Sequence, residues 1–246
     1  MSGTSEPGAP IPDAARQYPR IRWGIGDAVA AWFGGLLVAV VASSFVVDES
    51  RPVQLLVLLF AQDLTVIAWL AVVARRKGTG TLRADFGFTL VPSTGGWLAD
   101  VPWFFAGVAL QLLSFLPISL LLAVHGQDAK QDVVNVADRA HGLQVPLIVI
   151  GVAVLAPVTE ELLFRGALLR ALLRRTTADR AVFISAAAFG LVHILGDPSI
   201  GSLVALPAIV LLGIVSGYQA VRTGNLSRSI MLHIGFNALS ALFLFS

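Results

Sequence analysis

Apolar runs of similar length, separated by short polar and charged stretches, set the pattern of this chain. They cover roughly Asp27–Val47, Val53–Ala74, Val101–Val124, Val145–Leu173, Ala181–Leu195, Leu203–Val221 and Ser229–Phe245. Most approach the ~20 residues a helix needs to cross a bilayer core, so the pattern predicts an all-α, polytopic transmembrane bundle of about seven spans. The fourth run is long enough to extend past the membrane at one end. The fifth is short, which predicts tilting, extension by flanking residues or burial against its neighbours. Residues Met1 to Arg22 are rich in Pro, Gly, Ser and Ala and read as a disordered cytosolic tail, leaving 23–246 as the helical domain. The first apolar run starts too late for a signal peptide and is expected to stay in the protein.

Composition agrees with this setting. Hydrophobic residues make up 56% and charged residues 13%, with a mean hydropathy of +0.81, far from a soluble domain. The net charge is only +2, but the basic residues cluster in alternate loops. Arg16, Arg20 and Arg22 precede the first run; Arg75, Arg76, Lys77 and Arg83 follow the second; Arg170, Arg174, Arg175 and Arg180 follow the fourth; Arg222 and Arg228 follow the sixth. The other loops hold Arg51, then Lys130 and Arg139 among Asp128, Asp132 and Asp138. The positive-inside rule then puts the N-terminus in the cytoplasm and the C-terminus outside, as expected for a multi-pass protein of the cell membrane. The segment Thr81–Gly96, with Phe86 and Phe88, reads as a cytosolic loop lying at the interface. With no cysteine, disulfides, thiolate chemistry and Cys-based metal sites are excluded. No nucleic-acid partner is expected.

Against this apolar background, a few polar residues inside the spans stand out. The fourth run carries Glu160, Glu161 and Arg165, the fifth His193, and the seventh His233 and Asn237. Ionisable groups at depth are costly and usually face a bundle interior where they serve a site. Glu161 and Arg165 are i and i+4, as are His233 and Asn237, so each pair shares a helix face. Glu160 is rotated about 100° from Glu161 on a helix of ~3.6 residues per turn. Glu161 is therefore expected to clamp Arg165, while Glu160 faces the histidines. Counting ~1.5 Å per residue from the nearest arginines puts Glu160 ~15 Å, His193 ~20 Å and Asn237 ~14 Å deep, which allows one shared cavity if these spans pack together. Pro157 should kink the fourth span just before Glu160.

A carboxylate and a neutral histidine can hold and deprotonate a water. A second histidine and a carboxamide can donate hydrogen bonds to the oxyanion formed when that water attacks a carbonyl. The set suits hydrolysis of an amide bond. A zinc ion between Glu160, His193 and His233 would match the two-histidine, one-carboxylate set of some zinc hydrolases, although no H-E-x-x-H helix is present. Metal-bound and metal-free water both remain open.

Glu160-Glu161-x-x-x-Arg165, Phe189-x-x-x-His193 and His233-x-x-x-Asn237, in this order in late spans, resemble the motifs of the CPBP family. These are the CAAX-prenyl-protease and bacteriocin-processing intramembrane peptidases, also called the ABI family. The flanks fit too: Ala156-Pro157, Phe164-Arg165-Gly166 and Arg222-Thr223-Gly224-Asn225-Leu226. The resemblance covers roughly 146–241. It implies an intramembrane endopeptidase acting on a peptide or protein substrate, prenylated near its C-terminus or not. By that resemblance Glu160 and His193 activate water, and His233 and Asn237 form the oxyanion site. The family's members have been described both as metalloproteases and as glutamate-dependent enzymes, so the expected cofactor is one divalent metal such as zinc or none.

Two other classes stay in view. A non-catalytic immunity or scaffold protein of the same fold would bind a partner in the membrane, and would usually lack catalytic residues that this chain keeps. A proton-coupled transporter would show internal symmetry with paired broken helices, and no repeat relates the halves. Gln62 and Asp63 in the second run either line the same cavity or bind a neighbouring backbone. Gly213-x-x-x-Gly217 is expected to pack spans within the chain. His125 and His141 read as solvated loop residues. Oligomeric state is not encoded in any motif found.

Overall fold

The computed structural model describes residues 21–46, 51–90, 97–125, 139–196 and 200–243. The expected tail at 1–22 falls almost wholly outside these residues, as do 91–96 and the charged segment 126–138.

Among the described residues the chain is helical without strands. Two helices open it: α1 spans Ile25–Ser44 and α2 spans Arg51–Lys77. A short α3, Leu82–Phe86, precedes α4, Val101–His125. The long α5 covers Gln144–Leu173, followed by α6 at Ala178–Gly196, α7 at Ile200–Thr223 and α8 at Ser227–Phe243. Seven long helices thus stand where seven apolar runs predict them. Among the described residues, α1, α2, α5, α6 and α7 are long and apolar enough to cross a membrane. The fifth run, short in sequence, begins at Ala178 instead of Ala181, ends at Gly196 and reaches 19 residues.

The bundle pairs α1 with α2, α4 with α8 and α6 with α7, and these pairs surround α5. Half of the apolar window of α5 is buried, against 22–39% for the other four spans, so α5 is the central element. Where helices approach most closely, glycine permits it. Gly107 of α4 lies on the Leu232 carbonyl of α8, and Gly235 of α8 lies on the Phe104 carbonyl of α4. Gly213 and Gly217 pack on Ala186 and Val182 of α6, which makes the expected small-residue motif an internal contact. Adding a methyl at Gly235 must push α4 and α8 apart. Gly235→Ala is expected to cost about 1–3 kcal/mol by overpacking, read as an earlier midpoint in denaturation by sodium dodecyl sulfate. An unchanged midpoint would refute this account of the contact.

The segment after α2 differs from the expected interfacial loop. Thr81 caps α3 by accepting the Ala84 N–H at 3.1 Å, and Gly87 ends it at φ +70°. Phe86 is fully buried rather than at the interface. The cause is Asp85, itself 2% exposed, whose carboxylate accepts from Trp23 Nε1 at 3.0 Å, Thr79 N at 2.9 Å and Thr79 Oγ1 at 2.8 Å. A carboxylate satisfied by three donors can be buried at modest cost, and it pulls the aromatic next to it into the core. The α7–α8 turn docks on the same segment: Gly224 takes φ +67°, Asn225 Oδ1 accepts from Ser227 N and Oγ, and Leu226 N donates to Gly87 O at 3.0 Å. The flanking Thr223-Gly224-Asn225-Leu226 is thus a capped turn that sets the start of α8.

Candidate functional site

The backbone of α5 changes register twice, at Gly151–Leu155 and at Glu161–Leu169, where it becomes π-helical. Pro157 accounts for the first. In π register, Ala156 N–H reaches Gly151 O, and the next bond would run from residue 157 to Val152 O, but proline has no N–H. Asn237 of α8 supplies it, donating from Nδ2 to Val152 O at 3.0 Å. In the second segment, Ser185 of α6 donates to Phe164 O at 3.0 Å. Each irregular turn is therefore stabilised by a side chain from a neighbouring helix, as an apolar environment requires. The predicted kink at Pro157 is here a π turn, a feature frequent at functional sites.

The second π segment carries Glu161 and Arg165 into the core. Glu161 is fully buried and Arg165 is 1% exposed, with Nη1 at 3.1 Å from Glu161 Oε1. The expected clamp is present. Glu161 does more than hold the arginine, because its Oε1 also lies 2.9 Å from His233 Nδ1. Arg165 lies flat over the Phe189 ring at 4.3 Å, and Phe189 packs edge-on against both His193 and His233 at centroid distances of 4.6 and 5.5 Å. Phe189 is thus the apolar hub that spaces cation and imidazoles. In the sequence it served only to mark a spacing.

Glu160 points the other way and stays 27% exposed. Its Oε1 is 4.0 Å from His193 Nε2, and its Oε2 is 3.5 Å from His233 Nε2. Each histidine is fixed from behind. His193 Nδ1 faces the Phe189 carbonyl at 2.8 Å and His233 Nδ1 faces the Glu161 carboxylate. Both partners are acceptors, so each Nδ1 carries a hydrogen, and each ring turns its Nε2 toward Glu160, bare whenever the ring is neutral. Histidines backed in this way, by a backbone carbonyl or a carboxylate, are held in one tautomer and one orientation. At 3.5–4.0 Å the three groups do not hydrogen-bond directly, and one water can bridge them. Helices α5, α6 and α8 therefore bring together Glu160, Glu161, Arg165, His193 and His233. Asn237, one turn beyond His233, has one amide hydrogen committed to the backbone.

Sequence reasoning left Asp63 undecided. On α2 it is 6% exposed, beside the Thr159 hydroxyl and within electrostatic reach of Glu160, and its Oδ2 has no hydrogen-bond partner among the described residues. Gln62 turns away and packs on Gly35 of α1. His141 is exposed, as expected. Histidine and carboxylate donors suit zinc in kind. Glu160, His193 and His233 are the residues that would hold such an ion, with the two Nε2 atoms 4.0 and 3.5 Å from the Glu160 oxygens.

Comparison with known proteins gives one match. Residues 142–239 match the family model described as type II CAAX prenyl endopeptidase Rce1-like. The matched segment includes all seven motif residues, and it leaves out α1 to α4 with Asp63 and Asp85. No curated protein and no solved structure matches the chain.

Proposed function

Starting from an Rce1-like segment at 142–239 within a multi-pass helical membrane protein, we propose that the protein is an intramembrane endopeptidase in which Glu160 activates water. The observation that carries this reading is the convergence of two Nε2 atoms, each with its Nδ1 engaged, on the partly exposed carboxylate of Glu160. A structural carboxylate would be buried and paired, as Glu161 is. Glu160 is neither.

In the proposed reaction a water sits between Glu160 and His193. Glu160 takes one proton as the hydroxyl oxygen bonds to the peptide carbonyl carbon. The proton then lies on a carboxylate 3.5 Å from His233 Nε2, and the pair holds it. When it is on His233, the Nε2–H donates to the oxyanion, with Glu161 opposite at Nδ1. Collapse of the tetrahedral intermediate breaks the C–N bond, and the leaving nitrogen takes that proton. The second amide hydrogen of Asn237 is the other oxyanion donor in this reading. A zinc ion, if bound by Glu160, His193 and His233, would supply Lewis acidity to the same water. The steps above are those of the protein groups themselves.

The substrate class we propose is a peptide presented at the membrane, with a prenylated C-terminus as the first candidate from the family description. The test is cleavage of quenched fluorescent peptides, prenylated and unprenylated, by the purified protein in detergent. Cleavage by the wild type and none by His193→Ala is the expected result; equal rates for the two proteins would refute the reading. His193 accepts from water only when neutral, so the rate should fall once acid protonates it. A rate unchanged down to pH ~4 would remove His193 from the mechanism. Chelator treatment should leave the rate intact. Loss of activity restored by zinc would replace the protein-held water with a metal-bound one.

A further inference from the structure

At the basic end of the bundle a cavity of about 330 Å³ opens beside the C-terminal turns of α5. Its charged lining is Arg165, Arg170, Arg174 and Asp85, and most of the remainder is apolar, from Trp23 to Leu173 and Val221. The guanidinium groups are held in place largely by neutral oxygens. Arg170 donates to the carbonyls of Asp85 at 3.3 Å and of Gly224. Arg174 donates to the Trp23 carbonyl at 2.6 Å and stacks over the Trp23 ring at 4.1 Å. The Asp85 carboxylate is already occupied by Trp23 and Thr79.

Charge does not balance here. Arg165 is offset by Glu161, Asp85 offsets one more cation, and one positive charge is left over. Burial and the neighbouring Arg175 together pull Arg174 below the usual arginine range, a strain that an anion would relieve. At the buried end, Arg165 is 1% exposed, and its Nε and Nη2 have no hydrogen-bond partner among the described residues. An occupant should therefore carry one negative charge and several acceptor oxygens. Phosphate fits the planar guanidinium fork in both respects. The cavity's level also fits, since the basic loops mark the cytosolic headgroup layer, where basic pockets between spans take anionic headgroups.

We propose that this cavity binds a phosphate group of the kind carried by an anionic phospholipid, with Arg165 at its closed end and Arg174 at its mouth. The proposal does not rest on the peptidase reading: the two share Arg165, but neither Glu160 nor either site histidine lines the cavity.

The test is thermal unfolding of the full-length protein in nanodiscs of phosphatidylcholine alone or mixed with phosphatidylglycerol of the same acyl chains. The anionic lipid is expected to raise the midpoint by at least about 3 °C. Arg174→Gln should lose more than half of that rise. Leu173→Trp, which fills the cavity without changing charge, should lose it too. Arg180→Gln, the same charge change at an exposed position outside the cavity, should keep it. Inorganic phosphate added in a neutral detergent separates the sources: a rise there means that the headgroup phosphate suffices, and a rise only in nanodiscs means that the whole lipid is bound. Three results would overturn the proposal. One is no rise with either probe. Another is equal loss in Arg174→Gln and Arg180→Gln, which would mean a diffuse surface field. The third is a cleaved peptide whose KM worsens on C-terminal amidation in the wild type but not in Arg174→Gln, which would assign the cavity to a peptide carboxylate.

Discussion

Glu160→Gln is expected to lower the rate of peptide cleavage by roughly 10³-fold while leaving the unfolding midpoint where it is. Glutamine keeps the shape of the side chain and can still hold a water, but it cannot take a proton. The effect on folding should be small for a structural reason. Glu160 is 27% exposed and no arginine pairs with it closely, whereas its neighbour Glu161 is fully enclosed and bound to Arg165. The two carboxylates, adjacent in sequence, thus make opposite predictions. The measurement is single-turnover cleavage of the best fluorescent peptide, beside a denaturation curve on the same preparation. A Glu160→Gln protein that keeps more than about a tenth of the rate would lie outside the 10²–10⁴ range of a general base and would end this assignment.

Arg165→Met should be the most damaging substitution to stability. It strands Glu161, a buried carboxylate whose other close partner is His233 Nδ1, and breaking one side of a buried pair typically costs about 3–5 kcal/mol. It also removes the cation stacked on Phe189. The double variant Glu161→Gln with Arg165→Met separates charge from packing. With both charges gone, much of the stability should return, since buried pairs are often replaceable by uncharged groups of similar volume. Activity should not return, because His233 then loses the negative charge that stabilises its imidazolium when Nε2 takes the proton. A double variant as unstable as Arg165→Met alone would mean that stacking and shape, not the stranded charge, set the cost.

The i,i+4 spacings were legible because the period of a helix is local. Glu161 with Arg165 needed only that rule, and the outward turn of Glu160 followed from it. The length of each apolar run gave the helices, and the motif order gave the family resemblance that the match at 142–239 bears out. Where the reading stopped, a distant partner had changed the outcome. Nothing near Asp85 in sequence signals that Trp23, 62 residues away, donates to it. Phe86 was placed at the interface for the same reason. Pro157 announced a distortion of α5, but its form as a π turn depends on Asn237, 85 residues from the carbonyl it satisfies.

By itself, then, the sequence determined that this is a helical membrane protein, which residues carry charge at depth, and which of them share a helix face. Only the tertiary structure decided that His233 stands between two carboxylates, with Nδ1 on Glu161 and Nε2 toward Glu160. It alone showed that Phe189 spaces the cation from the rings, and that Gly107 and Gly235 let α4 and α8 meet. The physical reason is range. Helix period, hydropathy and charge clustering act over a few residues and are written in the local pattern, while the pairing of Glu161 with a histidine 72 residues later exists only once α8 has packed against α5.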